Sequence, residues 1–151
     1  MTTTTKISII LSLSIFIVLS SCNFTPTHEE LLNLNLKEHK ENVLHIHPVL
    51  EIEILGEKQT IPDGIGITQN GMRVIHTHGI DGKLHVESPY PAEFYLKDFF
   101  IIWDKTFNEK QLFLYTTDDK HTLKVYVNGK EDPRFGNIPL KDGDTIKIVY
   151  K

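Results

Sequence analysis

The chain has 151 residues, a formal net charge of −4 at pH 7 and a single cysteine, Cys22. That length supports one domain with a core of its own. No basic block or arginine cluster is present, which argues against a nucleic-acid partner, because phosphate binding needs concentrated positive charge. A lone Cys excludes an intramolecular disulfide and leaves any metal site to histidines and carboxylates.

The first residues read as a targeting segment. Behind Lys6, Ile7 to Leu19 run for 13 residues without a charge. A membrane-spanning helix needs roughly 20 such residues, so this stretch suits the apolar region of a signal peptide. It ends in Leu19-Ser20-Ser21-Cys22, which resembles the lipobox of bacterial lipoproteins. The resemblance implies that residues 1–21 are a signal peptide, removed on export. It also implies that the Cys22 thiol carries the lipid that holds the chain on the extracytoplasmic side of a cell membrane. An ordinary secretory signal with a chance Cys is the alternative.

Residues 22–43 read as a polar tether. Thr25-Pro26-Thr27 is extended or turn-like, and Thr27 with Glu30 fits a capping box. The short helix so opened carries Leu31, Leu32, Leu34 and Leu36, so a helix packed on the domain is the competing reading.

Residues 44–151 read as the domain. Ile46, Leu50, Ile52 and Ile54 alternate with His45, His47, Glu51 and Glu53, the period of a strand with one buried face. Gly56-Glu57 turns the chain, and Gln59 to Ile61 read as the return strand. Met72–His78 and Leu84–Glu87 read as a second hairpin around Asp81-Gly82, a strong two-residue turn signal. After Pro91 the apolar spacing changes to three and four at Leu96, Phe99, Phe100, Trp103 and Phe107, which predicts an amphipathic helix over 93–105. Strands resume at Leu112–Tyr115 and Leu123–Val127. Asn128-Gly129 turns, and Ile146, Ile148 and Tyr150 share one face of a closing strand.

Hairpins, one helix and a last strand in Leu140-Lys141-Asp142-Gly143-Asp144-Thr145-Ile146 resemble the β-grasp architecture. The expected class is α+β, a mixed sheet of β-hairpins packed on one amphipathic helix. A small barrel or sandwich carrying a helix is the other architecture that fits.

Histidine is the chemical signal. Five of the eight histidines fall between positions 45 and 85: His45, His47, His76, His78 and His85. Two are His-x-His pairs, and strand alternation puts both members of a pair on one face. If Asp81-Gly82 is the whole turn, His78 lies opposite His85 and His76 opposite Glu87. Opposed residues have Cβ atoms about 4.5–5.5 Å apart, close enough for imidazoles to share an ion. Neutral imidazole suits copper and zinc, and Glu87, Glu51 or Glu53 can complete the shell or orient a ring from behind. Such binding weakens below about pH 6, where protons compete for the nitrogens. Hydrogen-bonded or solvated histidines with no metal are the bland alternative. His28, His39 and His121 stand apart and suggest no role.

A cupin also uses His-x-His, but Gly79-Ile80-Asp81-Gly82 follow His78 where its Glu is required. No Gly-x-Ser-x-Gly, phosphate loop or Cys nucleophile is present, so no enzyme class is indicated. The run His45-x-His47, Ile61-Pro62, Gly66-Ile67, His76-Thr77-His78, His85-x-Glu87-Ser88-Pro89, Phe99-Phe100-x-x-Trp103 and Val127-Asn128-Gly129 is similar to a group of small uncharacterised extracytoplasmic proteins of archaea and environmental bacteria. Gly79 stands where members of that group often have Asp, so a carboxylate ligand there is missing. The resemblance implies a fold and no mechanism.

Two functions follow. The first is a lipid-anchored protein that binds copper or zinc through His76, His78 and His85, helped by His45, His47 and Glu87, for capture, buffering or delivery. The second is a metal-free adaptor or ligand-binding module with a structural His network. There the aromatic group Phe94, Tyr95, Phe99, Phe100 and Trp103 offers a contact for a protein partner, although core packing accounts for those residues equally well.

Overall fold

A computed structural model describes residues 25–37 and 42–151. The expected signal peptide and Cys22 lie outside the described residues. Among the described residues, no helix is long and apolar enough to cross a membrane.

In chain order the elements are α1 (His28–Asn33), β1 (Leu44–Ile46), β2 (Val49–Ile54), β3 (Glu57–Gln59), β4 (Ile67–Thr68), β5 (Gly71–Met72), β6 (Ile75–His76) and β7 (His85–Ser88). Then come α2 (Leu96–Ile102), β8 (Phe107–Asn108), β9 (Gln111–Leu112), β10 (Tyr115–Thr116), β11 (Leu123–Val127), β12 (Lys130–Glu131) and β13 (Thr145–Tyr150). The class is α+β.

The largest sheet has the order β12-β11-β13-β2-β3. β13 runs parallel to β2 at its centre, and the other pairs are antiparallel. Strand alternation builds its buried face. Leu50, Ile52 and Ile54 stand beside Ile146, Ile148 and Tyr150, and Val125 and Leu123 continue the rows. Leu96, Phe99 and Phe100 of α2 join the same core. Each such buried side chain contributes about 1.5–3 kcal/mol of apolar transfer. The outer face carries ion pairs, with Lys147 Nζ 2.7 Å from Glu53 and Lys124 Nζ 2.8 Å from Glu131.

The helix is shorter than its spacing predicts. Phe94 to Leu96 are drawn into bridging bonds with Ile138 to Leu140, so the 93–105 reading loses its first turn. The Asp98 carboxylate then accepts the Tyr95 amide at 2.7 Å and starts the helix there. Asp104, at φ 56°, ends it.

Three strand readings also need correction. The return strand is Glu57–Gln59 rather than Gln59–Ile61. The stretch Met72–His78 breaks at Arg73, whose amide donates to Gly66 O, so β5 pairs with β4 while β6 turns to β7. The stretch Leu112–Tyr115 splits at Phe113, where φ is 56°.

The tether reading fails for residues 25–37. Thr27 caps α1 with Glu30, as the capping box predicts. Leu31, Leu32 and Leu36 are buried, and Leu36 exchanges both backbone bonds with Met72 at 2.7 and 2.8 Å. Arg73 Nε donates to Leu32 O at 2.8 Å, and His28 Nε2 lies 3.0 Å from Asp98 Oδ1. The leucines that burden a free tether are what hold this segment on the domain.

A candidate metal centre

A second sheet, of order β1-β7-β6, carries the histidines. β1 runs through His47 and Pro48 straight into β2, which joins this small sheet to the large one. Its register sets Ile46 opposite Val86 and Val86 opposite Ile75, a row packed into the core. Alternation then sends His45, His76, His85 and Glu87 to the other face. His45 lies opposite Glu87, and His76 lies opposite His85. Continuing the β1 register by one residue brings His47 beside His85, and their rings stand 4.8 Å apart.

The hairpin register differs from the expected one. His76, and not His78, opposes His85. Asp81-Gly82 is not the whole turn. Gly82 O accepts the Leu50 amide at 2.8 Å and Leu84 N donates to Pro48 O at 2.9 Å, so residues 82–84 pair with the start of β2. His78 therefore stands in the loop beyond β6. Buried Thr77 pins that loop, donating to Pro62 O at 2.9 Å and accepting the Ile65 amide at 3.0 Å. His78 still meets the others, with its ring 4.8 Å from that of His76 and 4.9 Å from that of His85.

Five imidazoles thus gather on one face. Two groups of three are close enough to hold a metal ion: His45, His47 and His85, and His76, His78 and His85. Within each group the ligand atoms lie within 4.8 Å of one another. Ion–nitrogen bonds of about 2.0–2.1 Å place tetrahedral ligands roughly 3.3 Å apart, so modest side-chain rotations close either group.

Glu87 belongs to neither group. It is wholly buried, accepts Asn42 Nδ2 at 2.7 Å and lies 3.2 Å from His45 Nε2. Its place is behind His45, where a carboxylate orients a ring and leaves Nδ1 as the lone-pair nitrogen. His76 is oriented likewise by the Arg73 carbonyl, 3.0 Å from Nδ1, which leaves Nε2 as its ligand nitrogen. Glu51 and Glu53 lie on the outer face of the large sheet and face Lys58 and Lys147.

Electrostatics keep the face ready for a cation. Burial holds His76 down to about 4, although the Arg73 carbonyl and Glu87 pull it up. Burial, then the neighbouring imidazoles of His47 and His78, also lower His85. Both rings are therefore neutral at pH 7, as metal ligation requires. His45 and His78 are exposed, so the face opens on solvent.

Three partners had no signal in the sequence. Asn42 fell in the expected tether, Arg73 acts through its carbonyl, and Asp142 Oδ1 accepts the His47 amide at 2.8 Å from a turn 95 residues away. His121 bonds Asp118 at 2.8 Å and stacks on Tyr150, away from the cluster. No protein-family model, curated protein or solved structure matches the chain.

Proposed function

We propose that this protein is held by a lipid on Cys22 at the extracytoplasmic side of a cell membrane and binds a transition metal ion, copper or zinc, on its histidine face. Its task there is capture, buffering or delivery. The observation that carries the reading is the convergence of five imidazoles on one sheet face, three at a time within 4.8 Å. Histidines scattered for solubility would not be steered together by two separate strand registers. The lipobox-like Leu19-Ser20-Ser21-Cys22 supports the anchor. A sheet whose last strand lies parallel to β2 at the centre, flanked by two hairpins and packed with one helix, supports a β-grasp-like reading of the domain.

A metal-free reading draws on the bonds already satisfied within the face, Asn42 to Glu87 and His76 to Arg73. Calorimetry separates the two. The full chain in detergent, stripped of metal, is titrated with Cu²⁺ and Zn²⁺ beside a His76→Ala/His78→Ala variant. Stoichiometric binding with a Kd below about 1 μM, weakened about tenfold or more in the variant, supports the metal centre. Weak and equal heats in both proteins refute it.

A further inference from the structure

The two histidine groups are not independent. Both contain His85, which sits on β7, the central strand of its sheet. On one side the ring of His47 stands edge-on to it at 4.8 Å. On the other, His78 stands edge-on at 4.9 Å and His76 stacks on it at 5.4 Å. His45 and His47 are tied to each other, ring to ring, at 4.6 Å.

The groups differ in exposure. The outer pair presents side chains that are 45% and 36% exposed for His45 and His47. The inner group keeps one exposed member, His78, but it also includes His76, which is wholly buried beside the pinned Thr77. A ligand set that water reaches easily exchanges its ion readily, whereas a buried and pre-oriented ligand holds it.

Simultaneous occupation is disfavoured. Two dications would share one imidazole and repel across a few ångströms, and Glu87 and Asp142 are the carboxylates beside the histidines that would offset them.

We propose that the two groups are alternative seats for a single ion, and that the ion passes between them by ligand exchange while His85 stays bound. The proposal rests on the metal reading above. In the exchange, bonds from the ion to His45 and His47 break as bonds to His76 and His78 form. Each ligand binds the ion through the lone pair of a neutral imidazole, and no electron moves. The outer seat takes up and surrenders the ion, and the inner seat retains it. A protein built this way hands an ion on without first releasing it to solvent.

The test uses the metal-stripped full chain and Cu²⁺ as the probe, with rapid-freeze electron paramagnetic resonance and competition against a chromophoric chelator. His78→Ala breaks the inner seat and leaves buried His76 in the fold. His45→Ala/His47→Ala breaks the outer seat, and His85→Ala breaks both. Wild type should bind one ion, with an early signal giving way to a later one. His78→Ala should stop at the early signal and lose copper to the chelator about tenfold faster or more. His45→Ala/His47→Ala should reach only the later signal, and more slowly by about tenfold or more. His85→Ala should bind far more weakly than either.

Two ions per chain, one unchanging signal in wild type, or full retention by His85→Ala would overturn the shared-ligand exchange while leaving metal binding intact. A wild-type chain that takes no copper overturns both readings together.

Discussion

His76 is the residue on which the chemistry of the face turns, and its protonation is readable in stability. Burial lowers it from the usual 6.5 to about 4. Between those values the unfolded chain binds a proton that the folded chain refuses. Apoprotein stability is therefore full above about pH 6.5 and falls as the pH drops toward 4, by on the order of 3 kcal/mol. The lowering of His85 acts in the same direction. Urea unfolding of the metal-free chain at a series of pH values should show this slope, and a His76→Gln variant should flatten it. Equal midpoints from pH 7 to 4.5 would contradict the burial argument. Glu87 is the second test at this scale. Seated behind His45 and bonded to Asn42, it acts through orientation of the outer group, so Glu87→Gln should slow Cu²⁺ uptake by about tenfold or more. An unchanged uptake rate would remove Glu87 from the centre.

At the scale of elements, the face depends on how the 77–84 loop is held. Gly82 has φ +80°, and a Cβ there would come within 2.3 Å of Leu50 O. Both the left-handed backbone and the close approach demand glycine. Gly82→Ala should cost about 2 kcal/mol or more in unfolding experiments and loosen His78 with it. A wild-type midpoint would show that residues 82–84 do not lean on β2.

Much of this element was legible in advance. Period-two alternation is a local property, so it correctly paired His45 with His47 on one side of their strand and set Ile46 toward the core. The register between β6 and β7 was not legible. Asp81-Gly82 has the composition of a two-residue turn, but Gly82 O accepts the Leu50 amide and Leu84 N donates to Pro48 O, in a segment distant in sequence. The α2 boundaries failed for the same reason: Ile138 to Leu140 compete for the residues that spacing alone assigns to the helix.

The whole molecule couples the two sheets through the β1–β2 segment and through residues 82–84, which pair with the start of β2. β1 carries His45, the chain runs on through Pro48, and β2 enters the middle of the large sheet beside β13. The histidine face is thus fixed to the core, and it is assembled from stretches 40 residues apart. Composition predicted one domain, and the apolar patterns predicted an α+β class. Whether Leu31, Leu32 and Leu36 bind the domain or hang free depended on a tertiary partner, Met72 and its surroundings, that no local pattern specifies. That a cation occupies the face is the claim on which the functional account stands, and anomalous scattering tests it most directly. Crystals of the protein grown with Zn²⁺, measured on both sides of the zinc edge, should show a peak about 2.0–2.1 Å from the His85 imidazole and from two further histidines of one group. Zinc found only elsewhere, or a histidine face without a peak at full soak, would contradict the account.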